Sequence, residues 1–168
     1  MRRICLIGST LIALLTPAAA AENGCERFAW SLARELAWFG ASDQPAFAAG
    51  DTLPVIPKGA FALRLQPAAN ILFVLPPERA PKSETWFGGV IRLPALDRAG
   101  IHQISLSEEA WVDVIQHERY ARSVGSTARR DCPALRKSIR FELDPSPFTL
   151  QISAVARDAV TLAIGPAE

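Results

Sequence analysis

From position 61 onward, apolar residues recur at every second position in short runs divided by turn formers, and this period constrains the fold more than any other feature. Phe61, Leu63 and Leu65 alternate with Ala62 and Arg64. Ile139, Phe141 and Leu143 alternate with Arg140 and Glu142, Phe148, Leu150 and Ile152 with Thr149 and Gln151, and Val160, Leu162 and Ile164 with Thr161 and Ala163. A period of two places one residue set on one face of an extended strand. Gly88 to Leu93, Ile101 to Leu106 and Ala110 to His117 read as further strands, and Tyr120 to Val124 as a short one. Ile71 to Leu75 is apolar throughout, which suits a strand covered on both faces. Pro57-Lys58-Gly59, Pro76-Pro77, Ala99-Gly100 and Asp144-Pro145-Ser146-Pro147 supply the breaks. The longest connections fall at Glu78 to Phe87 and Gly125 to Lys137. Eight or nine such strands with no helices between them predict an all-β fold, an antiparallel β-sandwich or jelly roll.

The first 60 residues read differently. Arg2 and Arg3 precede the apolar run Ile4 to Leu15, then Thr16-Pro17 and the alanines Ala18 to Ala21. A charged start, a short apolar stretch and small residues at the cut predict a signal peptide over 1–21. The apolar run is shorter than the roughly 20 residues a permanent span needs, so no transmembrane anchor is expected. Removal leaves 147 of the 168 residues, enough for one domain, 22–168, with its own core. The protein is expected in the periplasm or secreted further. Residues 25–39 carry Phe28, Leu32, Leu36 and Phe39 at helical spacing, and Gly40 follows as a stop, so a single amphipathic helix is predicted there.

Export decides the reading of the cysteines. Cys5 leaves with the signal, and Cys25 and Cys132 remain. An even number in an oxidising compartment predicts one disulfide, Cys25–Cys132. It closes a loop of about 100 residues, for which chain entropy gives roughly 4–5 kcal/mol.

Residues 99–165 resemble the bacterial pre-peptidase C-terminal type of β-sandwich domain. The resemblance is carried by the runs Ala99 to Leu106, Trp111 to Val114, Ser138 to Leu143, Phe148 to Ser153 and Val160 to Ile164. It implies a sandwich and carries no catalytic signature. Those domains usually follow a large enzyme, a role that does not transfer to this chain. The whole chain resembles small exported proteins of alphaproteobacteria.

Charge and motifs narrow the function. The chain holds 18 basic and 17 acidic residues, and loss of Arg2 and Arg3 leaves it near neutral, so nucleic acid is not an expected partner. It holds two histidines, and Met1 is its one methionine. No Gly-x-Ser-x-Gly elbow, Ser-x-x-Lys pair, His-Glu-x-x-His motif or glycine-rich phosphate loop occurs, so no cofactor or metal site is expected. Asp113 and His117 lie on one strand face about 13 Å apart, too far to bond each other. His117 reads as a solvated strand end and His102 as a core-edge residue.

Two features point to binding. Gln116 to Arg140 carries Arg119, Arg122, Arg129, Arg130, Arg136, Lys137 and Arg140 against Glu118 and Asp131. Arginine forks suit carboxylates and phosphates, so Arg129, Arg130, Arg136 and Lys137 are candidates for contact with an envelope protein or an acidic envelope polymer. The alternative is that they neutralise Glu26, Glu35 and other acids brought near by the disulfide. Trp86, before Phe87-Gly88-Gly89, either stacks on a ligand or plugs the core edge while the glycines relieve crowding. The expected function is a non-enzymatic binding or structural role in the cell envelope. Its rivals are a carbohydrate-binding module using Trp86 and Trp111, and an enzyme whose site the sequence does not announce.

Overall fold

A computed structural model describes residues 24–168; the predicted signal peptide, 1–21, lies outside the described residues. The fold is all-β, with eleven strands in two sheets among the described residues. In the six-stranded sheet, β1 (Ala46–Ala48), β2 (Phe61–Arg64), β11 (Ala159–Pro166), β5 (Gly100–Leu106), β9 (Lys137–Leu143) and β8 (Ser123–Ala128) lie side by side in that order. The β1–β2 pair is parallel and the others are antiparallel. The five-stranded sheet runs β3 (Gln66–Pro67), β4 (Phe87–Leu93), β10 (Phe148–Val155), β6 (Trp111–Gln116) and β7 (Arg119–Tyr120), all antiparallel.

The period of two decides which face is buried. Phe61 and Leu63, Ile104 and Leu106, Ile139 and Phe141, and Leu162 and Ile164 come from the first sheet. Ile91 and Leu93, Val112 and Val114, and Leu150 and Ile152 come from the second. All of them join one apolar cluster. Full burial of each such side chain contributes about 1.5–3 kcal/mol.

The outer faces are covered by segments that the sequence read as regular structure. The predicted helix over 25–39 is in fact a 3-10 turn at Gly24–Glu26 and a seven-residue helix α1, Ala33–Phe39. Between them the chain is held to the first sheet. The Ala29 backbone N–H donates to Thr127 Oγ1 at 3.0 Å, and the Arg140 guanidinium lies 4.3 Å from the Trp30 ring centroid. Cys25 is bonded to Cys132, as expected. These anchors set the path of residues 27–32, yet the helical stripe still shares one environment. Phe28 and Leu32 pack with Cys25, Cys132 and Leu135, and Leu36 and Phe39 flank them.

The predicted strand Ile71 to Leu75 is not a strand. Leu72 is 90% exposed, whereas Ile71, Phe73 and Leu75 are half-buried, so the run lies extended with one side down. Its backbone is bound by a side chain instead of a ladder. The Val74 and Leu75 N–H groups donate to Gln151 Oε1 at 2.6 and 3.2 Å, and Gln151 Nε2 donates to the Leu75 carbonyl at 2.9 Å. Gln151, on β10 and 1% exposed, points opposite to Leu150 and Ile152. Tyr120 Oη donates to the Pro76 carbonyl. The segment from Asn70 to Trp86 is therefore a cover over the second sheet.

Replacing Gln151 with alanine removes three hydrogen bonds and strands buried backbone groups, so a loss of about 2–3 kcal/mol is expected. Limited proteolysis is the sharper readout. Cleavage within 71–86 should accelerate well beyond the global effect, and an unchanged cleavage pattern would show that other contacts hold the cover.

The sequence also left Gly125 to Lys137 as a connection, but Ser123–Ala128 forms β8 against β9. Its composition (Ser, Val, Gly, Ser, Thr, Ala) has no apolar alternation because it is an edge strand with little core to face.

Candidate functional site

The cover does not close evenly over the second sheet. Where it turns back toward β4, it leaves a cavity of about 820 Å³ between its residues 79–86, the start of β6, the end of β10, and the approach to β9. That volume lies within the range of small-ligand sites. Arg79 and Lys82 come from the cover, Trp86 from its end, Trp111 from the first position of β6, Arg130 from the turn after β8, and Lys137 from the first position of β9. Three of the residues singled out in the sequence, Trp86, Arg130 and Lys137, thus line one cavity, and Trp111 joins them. Arg129 and Arg136 do not line it.

Trp111 is fixed by its neighbours. Its indole N–H donates to Asp113 Oδ1 at 2.6 Å. The Arg79 guanidinium lies 4.4 Å from its ring centroid and the Lys137 ammonium 5.2 Å. Cations at these distances are attracted by the ring quadrupole. Lys137 Nζ also donates to the Ala110 carbonyl at 2.6 Å. Trp86 is braced from below, its ring stacked on Phe73 with centroids 6.3 Å apart.

Trp86 has both fates that the sequence left open. It is half-buried and faces the cavity, and the glycines beside it do relieve crowding. A Cβ on Gly88 would sit 2.3 Å from the Ile152 carbonyl oxygen, and one on Gly89 would sit 2.5 Å from Ala49 Cβ.

The cations divide into two groups. Arg129 makes a two-pronged pair with Asp131, both contacts at 3.0 Å, and Arg27 binds the same carboxylate. This fork holds the Asp131 carboxyl below the usual carboxylate range. Arg130 pairs with Glu109 at 2.8 Å and Arg122 with Glu142 at 3.6 Å. Arg136 donates to the Arg130 carbonyl, and Arg140 to Gln103 and the Glu168 carbonyl. In the arginine-rich segment Arg122, Arg129 and Arg130 are thus matched by Glu142, Asp131 and Glu109, and Arg136 and Arg140 by neutral oxygens; Glu35 pairs with Arg34 instead. Arg79, Lys82 and Lys137, which share the cavity, likewise have no carboxylate within ion-pair distance among the described residues. Sequence reasoning missed Arg79 and Lys82. The signal that could have found them was the long connection that carries them.

Burial acts on the charged floor of the site. Desolvation pushes the Lys137 ammonium below its ordinary value, with Arg79 adding repulsion, while Glu109 and Asp113 oppose the shift. Desolvation likewise pushes the Asp113 carboxyl above its ordinary 3.8. The Trp111 N–H, the Glu78 backbone N–H and Lys137 offset part of that cost, and the Glu78 charge adds to it. Asp113 is 2% exposed. A carboxyl raised in the fold makes folding more favourable as pH falls through its folded value, and its buried anion is a steady cost above that value. Asp113→Asn keeps an acceptor for Trp111 and removes the anion. The variant should therefore be more stable than the parent at neutral pH, with the gap closing as pH falls toward 3.8. Urea titrations at pH 7.5 and pH 4 measure it, and a gap that widened on acidification would reverse the assignment.

Beside the cavity, on β10, the Ser153 hydroxyl is buried with no hydrogen-bond partner among the described residues. Its register partner is Trp111, and the next residue, Ala154, lines the cavity in a left-handed conformation at φ 60°. Buried hydroxyls are nearly always paired; Ser153 itself does not line the cavity.

The histidines stand elsewhere. His102 is buried, with Nδ1 3.2 Å from the Gly100 carbonyl oxygen. His117 sits exposed in the β6–β7 turn, where Asp144 Oδ2 and Ser146 Oγ both lie 3.2 Å from its Nε2. A nucleophile–base–acid relay needs the hydroxyl on one ring nitrogen and the carboxylate on the other. Here both use the same nitrogen, so the trio does not form a relay. Among the described residues no three His, Cys, Asp or Glu side chains cluster as a metal site would require. No helix there is long and apolar enough to cross a membrane. Compared with family models, curated proteins and solved structures, the chain matches none of them.

Proposed function

We propose that the protein is an exported, non-enzymatic β-sandwich that binds an acidic component of the cell envelope in the cavity between Trp86 and Trp111. The observation that carries this reading is the gathering of Arg79, Lys82 and Lys137, none with a carboxylate at ion-pair distance among the described residues, around two tryptophans in one cavity, whereas Arg122, Arg129 and Arg130 are each paired with an acid. Unmatched cations gathered in one concave site attract an anion, and apolar walls strengthen that attraction. The sandwich reading is supported by the single apolar cluster to which both sheets contribute, and the resemblance of residues 99–165 to pre-peptidase C-terminal domains agrees with it. The carbohydrate-module rival draws support from the meeting of Trp86 and Trp111 in one cavity.

Retention of solubilised envelope polymers on the immobilised protein tests the proposal. Binding should fall steeply as ionic strength rises from 50 to 500 mM. Arg79→Ala with Lys82→Ala should weaken it tenfold or more. Arg129→Ala with Arg130→Ala should weaken it less, because those charges are already paired. Binding that ignored both salt and the Arg79/Lys82 pair would refute an acidic ligand at this cavity.

A further inference from the structure

The lining of the cavity says more about the ligand than its charge does. A small inorganic anion needs only the cations, yet most of the wall around them is apolar, from Ala80, Ala110, Ala128 and Val155. Trp86 offers a half-buried aromatic surface braced by Phe73. Ser83, Thr85 and Glu109 add polar groups to the wall. An occupant that uses all three kinds of surface has an apolar ring face, several hydroxyls and a negative charge. A pyranose bearing a carboxylate has them. An acyl chain would use the apolar wall but offers no hydroxyls to the polar groups of Ser83, Thr85 and Glu109.

We infer that the acidic ligand is a carboxylated saccharide, with a ring against Trp86 and its carboxylate among Arg79, Lys82 and Lys137. This rests on the acidic-ligand reading above and deepens it. Arg79 has the planar fork that matches a carboxylate in a two-pronged pair. Its ring contact with Trp111 preorganises that fork and lowers the cost of ordering it. Lys137, tied to the Ala110 carbonyl, is a fixed point charge on the same tryptophan. The site is thus built before the ligand arrives. Trp111 serves to position the cations, and Trp86 is the surface left for the sugar.

The test uses the mature protein and four probes followed by titration calorimetry: oligogalacturonate, its fully methyl-esterified form, inorganic tripolyphosphate, and phosphatidylglycerol vesicles. Oligogalacturonate should bind, and esterification should weaken it at least tenfold because the charge is lost while the ring is kept. Trp86→Phe, which keeps an aromatic plug and so protects the fold, should reduce oligogalacturonate binding and leave any tripolyphosphate binding unchanged. Tripolyphosphate or vesicles binding as well as oligogalacturonate, with no effect of Trp86→Phe, would overturn the saccharide and leave the acidic-ligand reading standing. Equal binding of the ester would overturn both in favour of a neutral sugar. If no probe bound a protein with an unaltered melting curve, the saccharide would be rejected, while the envelope-polymer retention above would still decide the broader reading.

Discussion

Reduction of the Cys25–Cys132 disulfide lowers the melting temperature by about 10 °C or more. The bond joins residues 107 apart in sequence. Opening so long a loop restores roughly 4–5 kcal/mol of chain entropy to the unfolded state, and for a chain of this size each kcal/mol moves the transition by about 3 °C. The fold magnifies the effect locally. The disulfide anchors the segment that covers the outer face of the six-stranded sheet, where Phe28, Leu32 and Leu135 pack around the two cysteines. Cys132 is fully buried, so reductant acts slowly on the native state and should be added before the thermal scan. The comparison is a scan with and without reductant, with thiols counted by alkylation under denaturing conditions. Two thiols titrating without reductant, and an unchanged transition with it, would remove the staple from this account.

Gly88→Ala is the second large effect, expected to cost about 3 kcal/mol. The added methyl would meet the Ile152 carbonyl oxygen at 2.3 Å, with Ile71 Cδ1 and Trp86 Cζ3 both at 3.1 Å. The Ile152 carbonyl belongs to a strand held on both sides by β4 and β6, at the point where the β4–β10 register shifts. It cannot recede without breaking the ladder, so Trp86 and Ile71 must also move. The variant should therefore disturb the cavity as well as the fold. Gly40→Ala is the matched control. Its φ of −81° is open to any residue, and its new methyl would meet only carbonyl oxygens at 3.6 Å. It should change stability by less than about 1 kcal/mol, in the stabilising direction. Denaturant titration of the two variants measures the contrast, and equal effects would show that the crowding at Gly88 is relieved elsewhere.

The strands that were legible in the sequence are those whose alternation is enforced by the core. β2, β4, β5, β6, β9, β10 and β11 each place alternate side chains in one cluster, and their burial wrote the period into the sequence. β8 and β1 sit at a sheet edge and carry no such signature. Ile71 to Leu75 misled because side chains can be half-buried without a ladder. Gln151, 76 and 77 residues further along the chain, binds that backbone. Phe28 to Leu32 misled because helical spacing also satisfies an irregular segment pinned at Cys25 and Ala29. At the site, residue type identified Trp86, Arg130 and Lys137, but only the fold separates a paired cation from an unpaired one. Arg129 and Arg79 look alike in sequence, yet Asp131 neutralises the first and Trp111 holds the second toward the cavity.

The central claim is that the cavity between Trp86 and Trp111 is where this protein meets its acidic ligand. The four tryptophans make it directly testable, because each indole N–H gives its own signal in a proton–nitrogen correlation spectrum. Trp86 and Trp111 line the cavity, whereas Trp30 and Trp38 belong to the N-terminal segment. Titration with solubilised acidic envelope polymer at low salt should shift the Trp86 and Trp111 indole signals in step with binding and leave the other two in place. Shifts at Trp30 and Trp38 with Trp86 and Trp111 unmoved, or saturable binding with no indole shift at all, would contradict it.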